Sequence, residues 1–305
     1  MKRDYLSFLD LNARELEGLI SKAIALKRQR GAVTTAHGPL RGKTLGMIFE
    51  KPSTRTRLSF EVGMIDLGGH AIFLNPQDMQ LGRGEEVRDT ARVLSRYVAA
   101  VMIRAFSHAT VTEFARWASV PVINGLSDRE HPCQLLADIL TLREHFGPRK
   151  SLKIGWIGDG NNVCNSLVLS TALTGMEVAV ACPPGYLPDA ANIALAQQMG
   201  GNIRVASSPS DAAEGADALY TDVWVSMGDE AEREARLVAF RGYTLTTELL
   251  ERAASDAVVL HCLPAHRGEE ITDEVIEGPR SLVWDQAENR LHAQKALLLK
   301  LLGGT

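Results

Sequence analysis

The sequence predicts an α/β protein built from two doubly wound parallel-sheet domains with a cleft between them. Short runs of Val, Ile, Leu and Ala recur without strict alternation, as expected of parallel strands buried on both faces, and helix-length segments separate them. Midway the pair Gly147-Pro148 breaks this series, and a second series of the same kind follows. At 305 residues the chain is long enough for two such cores.

Taken in order, Asn12 with Glu15 three residues later reads as a capping box, and Leu16, Leu19, Ile20, Ala23 and Ile24 recur at helical spacing towards a C-cap at Gly31. Strands are then expected at Thr44–Phe49, Ala71–Leu74, Ala100–Ile103 and Val120–Ile123. The intervening helices fall near Arg57–Leu67, Glu86–Tyr97 and Thr110–Ala118, and a helix over Pro132–Phe146 closes the first half. In the second half, strands are expected at Lys153–Ile157, Glu177–Ala181, Ile203–Ala206, Ala218–Thr221 and Val258–His261. A leucine-rich amphipathic helix covers Ala287–Leu302. The expected domains are residues 1–147 and 148–286, with 287–305 returning to pack on the first.

Composition excludes several classes of function. Hydrophobic content of 45% and charged content of 23% are those of a soluble globular protein. A net charge of −4 argues against nucleic-acid partners and anionic membranes, so an anionic ligand must be met by a local arginine cluster. No run approaches the roughly eighteen apolar residues of a membrane span. Met1-Lys2-Arg3-Asp4 leads into no apolar leader core, and a cytoplasmic protein is expected. Cys133, Cys164, Cys182 and Cys262 form no CxxC pair and are expected as reduced thiols.

The most informative stretch is Phe49-Glu50-Lys51-Pro52-Ser53-Thr54-Arg55-Thr56-Arg57, at the junction of a strand and a helix. A helix N-terminus offers unpaired N–H groups and partial positive charge; hydroxyls add donors, and a guanidinium fork matches phosphate oxygens. Ser and Thr are ordinary caps, but two arginines there oppose the helix dipole, which favours an oxyanion clamp over a plain cap. Gly155-Trp156-Ile157-Gly158-Asp159-Gly160 has the wrong glycine spacing for a dinucleotide site, and the next strand ends without an acid for a ribose. Gly42-Lys43-Thr44 precedes a strand and is no phosphate loop. His131 with Cys133, and His261 with Cys262 and His266, lack the spacing of a structural zinc site; no metal or other cofactor is expected.

Other polar clusters fall at the C-terminal ends of strands, where open α/β sheets bind ligands. Arg104 ends one strand, His131-Pro132-Cys133-Gln134 opens a helix, and Gln80 to Glu85 form a glycine-bracketed polar loop. Asp222 follows another strand and precedes Ser226-Met227-Gly228; His261-Cys262-Leu263-Pro264 follows the last. Together they suggest an anion half in the first domain and an amino-acid half, with Asn162, Asp222, Ser226 and Cys262, in the second.

On these residues the chain resembles the ornithine-using branch of the aspartate/ornithine carbamoyltransferase superfamily. Ser-Thr-Arg-Thr-Arg at 53–57 and His-Pro-Cys-Gln at 131–134 resemble the carbamoyl-phosphate motifs; Asp-Val-Trp-Val-Ser-Met-Gly at 222–228 and His-Cys-Leu-Pro at 261–264 distinguish ornithine from aspartate enzymes. The resemblance implies carbamoyl transfer from carbamoyl phosphate to the side-chain amine of L-ornithine, giving citrulline and phosphate in arginine biosynthesis. It implies that Ser53, Thr54, Arg55, Thr56 and Arg57 hold the phosphate, that Thr56, Arg104 and His131 polarise the carbamoyl oxygen, and that Gln134 binds the amide. Arg290 joins the donor site, and Gln80 lies on a loop that reaches a neighbouring subunit. Asn162, Asp222, Ser226 and Met227 would orient ornithine, with Cys262 and Leu263 at the junction of the substrates. A homotrimer or multiple of trimers is implied. Asp229, where Gln is the commoner residue, is a departure bearing on loop detail. A carbamoyltransferase for putrescine and a non-catalytic subunit of the same family are the alternatives; Asp222 and the Ser-Met-Gly loop favour an acceptor with an α-carboxylate.

Overall fold

The computed structural model describes residues 2–30, 38–80, 83–149, 151–228 and 230–303. Contacts divide the chain into two units, Met1–Leu140 with Glu288–Thr305, and Thr141–Ala287. The division falls inside the helix Pro132–Phe146 rather than at the Gly147-Pro148 pair that follows it.

In the first unit, α1 (Ala13–Arg28) opens on the capping box: Asn12 accepts from the Glu15 N–H while the Glu15 carboxylate accepts from the Asn12 N–H. The expected cap at Gly31 lies outside the described residues. Next come β1 (Thr44–Phe49), α2 (Thr54–Asp66), β2 (His70–Leu74), α3 (Val87–Leu94), β3 (Ala100–Arg104), α4 (His108–Trp117), β4 (Val122–Leu126) and α5 (Pro132–Phe146). Among the described residues the strands form one parallel sheet ordered β2-β1-β3-β4. Ile48, Val101, Ile103 and Val122 pack with Phe114 of α4 into its core.

Two boundaries differ from expectation for identifiable reasons. Helix α2 starts at Thr54 rather than Arg57, because the Ser53 hydroxyl accepts from the Thr56 N–H and caps the helix there. Strand β4 starts after Pro121, which has no N–H to give a ladder, and runs on to Leu126 through Gly125. Gly125 leaves room for Met102, whose Sδ a Cβ there would meet at 2.4 Å unless the Met102 side chain shifted.

The second unit carries β5 (Lys153–Ile157), α6 (Asn162–Thr174), β6 (Glu177–Ala181), α7 (Ala190–Gln198), β7 (Asn202–Val205), α8 (Pro209–Ala213), β8 (Ala218–Thr221), α9 (Arg233–Ala239), α10 (Thr247–Leu250), β9 (Val258–His261) and α11 (Asp273–Ile276). Its sheet is parallel throughout, ordered β7-β6-β5-β8-β9. Gly155 of β5 leaves room for helix α8, since a Cβ there would meet the Ala212 carbonyl at 2.6 Å. The last helix, α12 (Val283–Leu302), starts before Ala287, and from Glu288 onward it belongs to the first unit. There Lys295 pairs with Asp66 of α2 at 2.8 Å. No helix among the described residues is long and apolar enough to cross a membrane.

Candidate active site

Each sheet has a topological switch point, where adjacent strands lead their connections to opposite sides and ligands bind beyond the C-terminal strand ends. In the first unit that point lies between β1 and β3. The register pairs Phe49 with Arg104, so the strand-end arginine stands beside the turn carrying Ser53 to Arg57. Arg104 is 5% exposed. The chain after β4 brings His131 to the start of α5, with its side chain 4% exposed and Gln134 one turn on.

Arg290 of α12 completes this arrangement. It is buried, donating from Nη1 to Gln134 Oε1 at 2.7 Å and from Nη2 to Thr56 Oγ1 at 3.1 Å. Gln134 in turn donates through Nε2 to the buried Asp138 at 2.9 Å, which fixes its amide with the oxygen towards Arg290. Burial holds the His131 pKa well below the usual imidazole value, and the charges of Arg290, Arg104 and Arg55 push it the same way. His131 is therefore neutral at pH 7, able to donate one N–H while the guanidiniums supply the positive charge. Cys133 is a different matter: burial pushes its thiol up to about 12, and it donates to the Asn124 carbonyl as a packed, unreactive group.

Not every expected residue joins this cluster. The Arg57 side chain is turned to the surface, its Nε bonded to Glu61 at 3.3 Å and its guanidinium lying 4.1 Å from the Phe73 ring centre. Arg57 thus sits on the α2 face that meets β2, apart from the buried Arg290–Thr56–Gln134 network. Gln80 is exposed, its carbonyl accepting from the N–H groups of Arg83 and Glu85. Thr54 is exposed at the first turn of α2, while Ser53 and Arg55 are half-buried.

In the second unit the switch point lies between β5 and β8. Register pairs Thr221 of β8 with His261 of β9, so the next residues, Asp222 and Cys262, emerge side by side. Cys262 Sγ donates to Asp222 Oδ1 at 2.8 Å, and Asn161 Nδ2 donates to Asp222 Oδ2 at 2.7 Å. Asn161 also caps α6 through Oδ1, accepting from the N–H groups of Val163 and Cys164. Asn161 reaches Asp222, while Asn162, expected to orient the acceptor, is the first residue of α6. The signal was present in the sequence, since the first Asn of a pair before a helix is the better N-cap.

The pairing of His261 with Glu270 also escaped the sequence reasoning. Leu263 N–H donates to His261 Nδ1 at 2.9 Å, which leaves the proton on Nε2, 3.1 Å from Glu270 Oε1. That imidazole holds Leu263 at φ 59°, a conformation uncommon for a branched side chain and one that sets the backbone next to Cys262. Ser226 is half-buried and Met227 41% exposed on the loop after β8; Asp229 lies outside the described residues. Asp222, His261 and Cys262 bring ligand atoms within 4.8 Å of one another, as do His266, Glu269 and Glu270. A divalent ion at the first group would have to displace the Cys262 proton and the Leu263 N–H, and one at the second would compete with Arg233 for Glu269.

Comparison with known proteins agrees with this geometry. The family model for the carbamoyl-P binding domain of aspartate/ornithine carbamoyltransferases matches residues 3–144, and that for the Asp/Orn binding domain matches residues 150–301. Ornithine carbamoyltransferase of Methanoculleus marisnigri is 67% identical over 304 residues, covering 100% of this chain and 98% of its own length. The anabolic ornithine carbamoyltransferase of Pseudomonas aeruginosa is 55% identical, over 98% of this chain and 97% of its own. Among solved structures, ornithine carbamoyltransferase from Pyrococcus furiosus superposes with a TM-score of 0.94 at 50% identity, covering 100% of this chain and 98% of that one. The chain belongs to the aspartate/ornithine carbamoyltransferase family.

Proposed function

We propose that this protein transfers the carbamoyl group of carbamoyl phosphate to the side-chain amine of L-ornithine, giving L-citrulline and phosphate as a step of arginine biosynthesis. The buried Arg290–Thr56–Gln134 network, with Arg104 and neutral His131 beside it, carries the donor half of this reading. In it, residues 1–147 with the segment 287–305 hold carbamoyl phosphate and residues 148–286 hold ornithine. Ser53, Thr54, Arg55 and Thr56 take the phosphate at the N-terminus of α2, with Arg290. Arg104, His131 and Thr56 face the carbamoyl oxygen, Gln134 takes the amide, and Gln80 acts from a neighbouring subunit's loop. Asp222, Asn162, Ser226 and Met227 orient the amino acid, and Cys262 with Leu263 stands where amine meets carbonyl.

The chemistry follows from charge. An alkyl ammonium with a pKa near 10 cannot attack until it loses a proton, and a site already rich in guanidiniums favours the neutral amine. Its nitrogen then bonds to the carbamoyl carbon, and the tetrahedral oxyanion is met by donors already in place, the arrangement that lowers such barriers most. The bond from carbon to the bridging phosphate oxygen breaks, and inorganic phosphate leaves with the proton that the attacking nitrogen gives up, the ammonium's first proton having gone to solvent. No covalent enzyme intermediate is needed, and Cys262, already donating to Asp222, serves to position and to handle the proton.

The same reading includes a cytoplasmic homotrimer or multiple of trimers. Leu58 and Ile65 of α2 and Ile72 and Phe73 of the edge strand β2 leave apolar surface exposed for such an association.

The test is citrulline formation from carbamoyl phosphate and L-ornithine with EDTA present, with aspartate and putrescine run alongside. Turnover with ornithine alone is expected. Turnover with putrescine instead would overturn the acceptor assignment, and silence with all three would overturn the enzyme reading.

A further inference from the structure

Asp159, in the glycine-bracketed segment after β5, and Arg236 of α9 have no part in the chemistry above. Arg236 Nη1 donates to Asp159 Oδ2 at 3.0 Å and to the Trp224 carbonyl at 3.1 Å. Their side chains are only 12% and 10% exposed, so the pair is not a solvated surface bridge of small effect. The guanidinium lies 5.1 Å from the Tyr186 ring centre, and Tyr186 and Trp224 both pack on Phe240, at 4.8 and 5.6 Å between ring centres. Trp156 Nε1 donates to the Asp159 carbonyl at 3.0 Å, which fixes the backbone that carries the carboxylate.

This places two tethers on one loop, both rooted in the β5–α6 turn. Asn161 holds Asp222 at the loop's start, and Asp159 through Arg236 holds Trp224 and, with it, the helix after the loop. The tethered positions are Asp222, Trp224 and Arg236, and the stretch between the last two begins with Val225 to Gly228, which carry Ser226 and Met227. We propose that Arg236 and Asp159 form an ionic strut that positions the 222–228 loop and thereby sets the affinity for the amino-acid acceptor. The pair acts through the loop as positioning residues and touches neither substrate. The inference rests on the acceptor reading above, and a measurement on the unaltered protein separates the two.

The experiment compares steady-state kinetics of the full chain as Arg236→Met, Arg236→Lys, Asp159→Asn and the double variant Asp159→Asn/Arg236→Met, with carbamoyl-phosphate affinity and thermal unfolding measured in parallel. Expected for Arg236→Met is an ornithine KM raised about tenfold or more, with kcat and donor affinity within about threefold of the parent. Asp159→Asn should raise KM in the same sense, and the double variant should be no worse than Arg236→Met, because the two share one interaction. Arg236→Lys can pair with Asp159 but cannot bridge two acceptors as well with one nitrogen, so its KM should fall between. An unchanged ornithine KM in folded Arg236→Met overturns the strut. So does an equal loss of donor affinity, acceptor affinity and unfolding temperature across Asp159→Asn and Arg236→Lys, which marks a purely structural pair. If the parent protein uses a different amine, the ornithine reading fails by itself, and the KM for that amine tests the strut.

Discussion

Replacing Arg290 with Met keeps the long apolar stem and removes only the guanidinium. The Gln134 oxygen and the Thr56 hydroxyl, both fully buried, then lose their donor. Two hydrogen bonds to a charged group are worth about 3 to 6 kcal/mol in total. Relief from burying that charge offsets part of the loss, leaving a net destabilisation of roughly 1 to 3 kcal/mol. Donor binding should suffer more selectively: one charge-assisted contact to the phosphate, at about 1.5 to 3 kcal/mol, is about a ten- to hundredfold rise in Kd. A third readout is independent of both. Burial is the largest cause of the low His131 pKa and Arg290 is the first of the charges that add to it, so the imidazole should titrate at higher pH in the variant. Calorimetry with a stable phosphonate analogue of carbamoyl phosphate gives the Kd, urea unfolding gives the stability, and proton NMR gives the titration. A folded variant with unaltered Kd would refute the donor-site role and leave Arg290 as a packing residue of α12.

The two arginines of the 53–57 run should behave differently: Arg55→Ala should weaken donor binding at least tenfold, whereas Arg57→Ala, which loses only the Glu61 and Phe73 contacts, should change it less than about twofold. Equal losses in calorimetry would restore Arg57 to the clamp. Gly160→Ala should destabilise by about 2 kcal/mol or more, because its Cβ would meet the backbone of Leu187 and Pro188 at 2.3 and 2.2 Å, and backbone gives way poorly; an unchanged unfolding midpoint would contradict that. His131 sets a pH dependence of known sign. Its folded pKa is depressed, so below about 6.5 the unfolded chain takes up a proton that the folded chain refuses, and stability falls by about 1.4 kcal/mol per pH unit until the folded pKa is reached. Urea midpoints at pH 7 and 5.5 should therefore drop more in the parent than in His131→Gln.

Much of the fold was legible because parallel strands buried on both faces leave unbroken apolar runs. β1, β5, β6, β8 and β9 fall on their expected residues, as does α5. Boundaries slipped where a side chain rather than hydropathy decides them, as at Ser53, which starts α2 early, and Pro121, which delays β4. The site was legible at strand ends, where Arg104, Asp222 and Cys262 stand out as polar residues after apolar runs. Arg290 was not readable from periodicity, because its guanidinium is buried within a helix that reads as ordinary amphipathic surface, and only the resemblance pointed to it. The bonds of Asn161 to Asp222, His261 to Glu270 and Arg236 to Asp159 join residues separated in the chain, through pairings that no local pattern encodes.

The bond between Thr56 and Arg290 joins residues 234 positions apart. At about 5 to 20 residues per second, a ribosome needs roughly 12 to 47 s to pass from one to the other. Throughout that interval the nascent chain carries the Ser53–Arg57 turn without the guanidinium that completes it. On the donor-site reading proposed above, a product terminated before residue 290 lacks that guanidinium and should hold the labile acyl phosphate at least about tenfold more weakly than the finished chain.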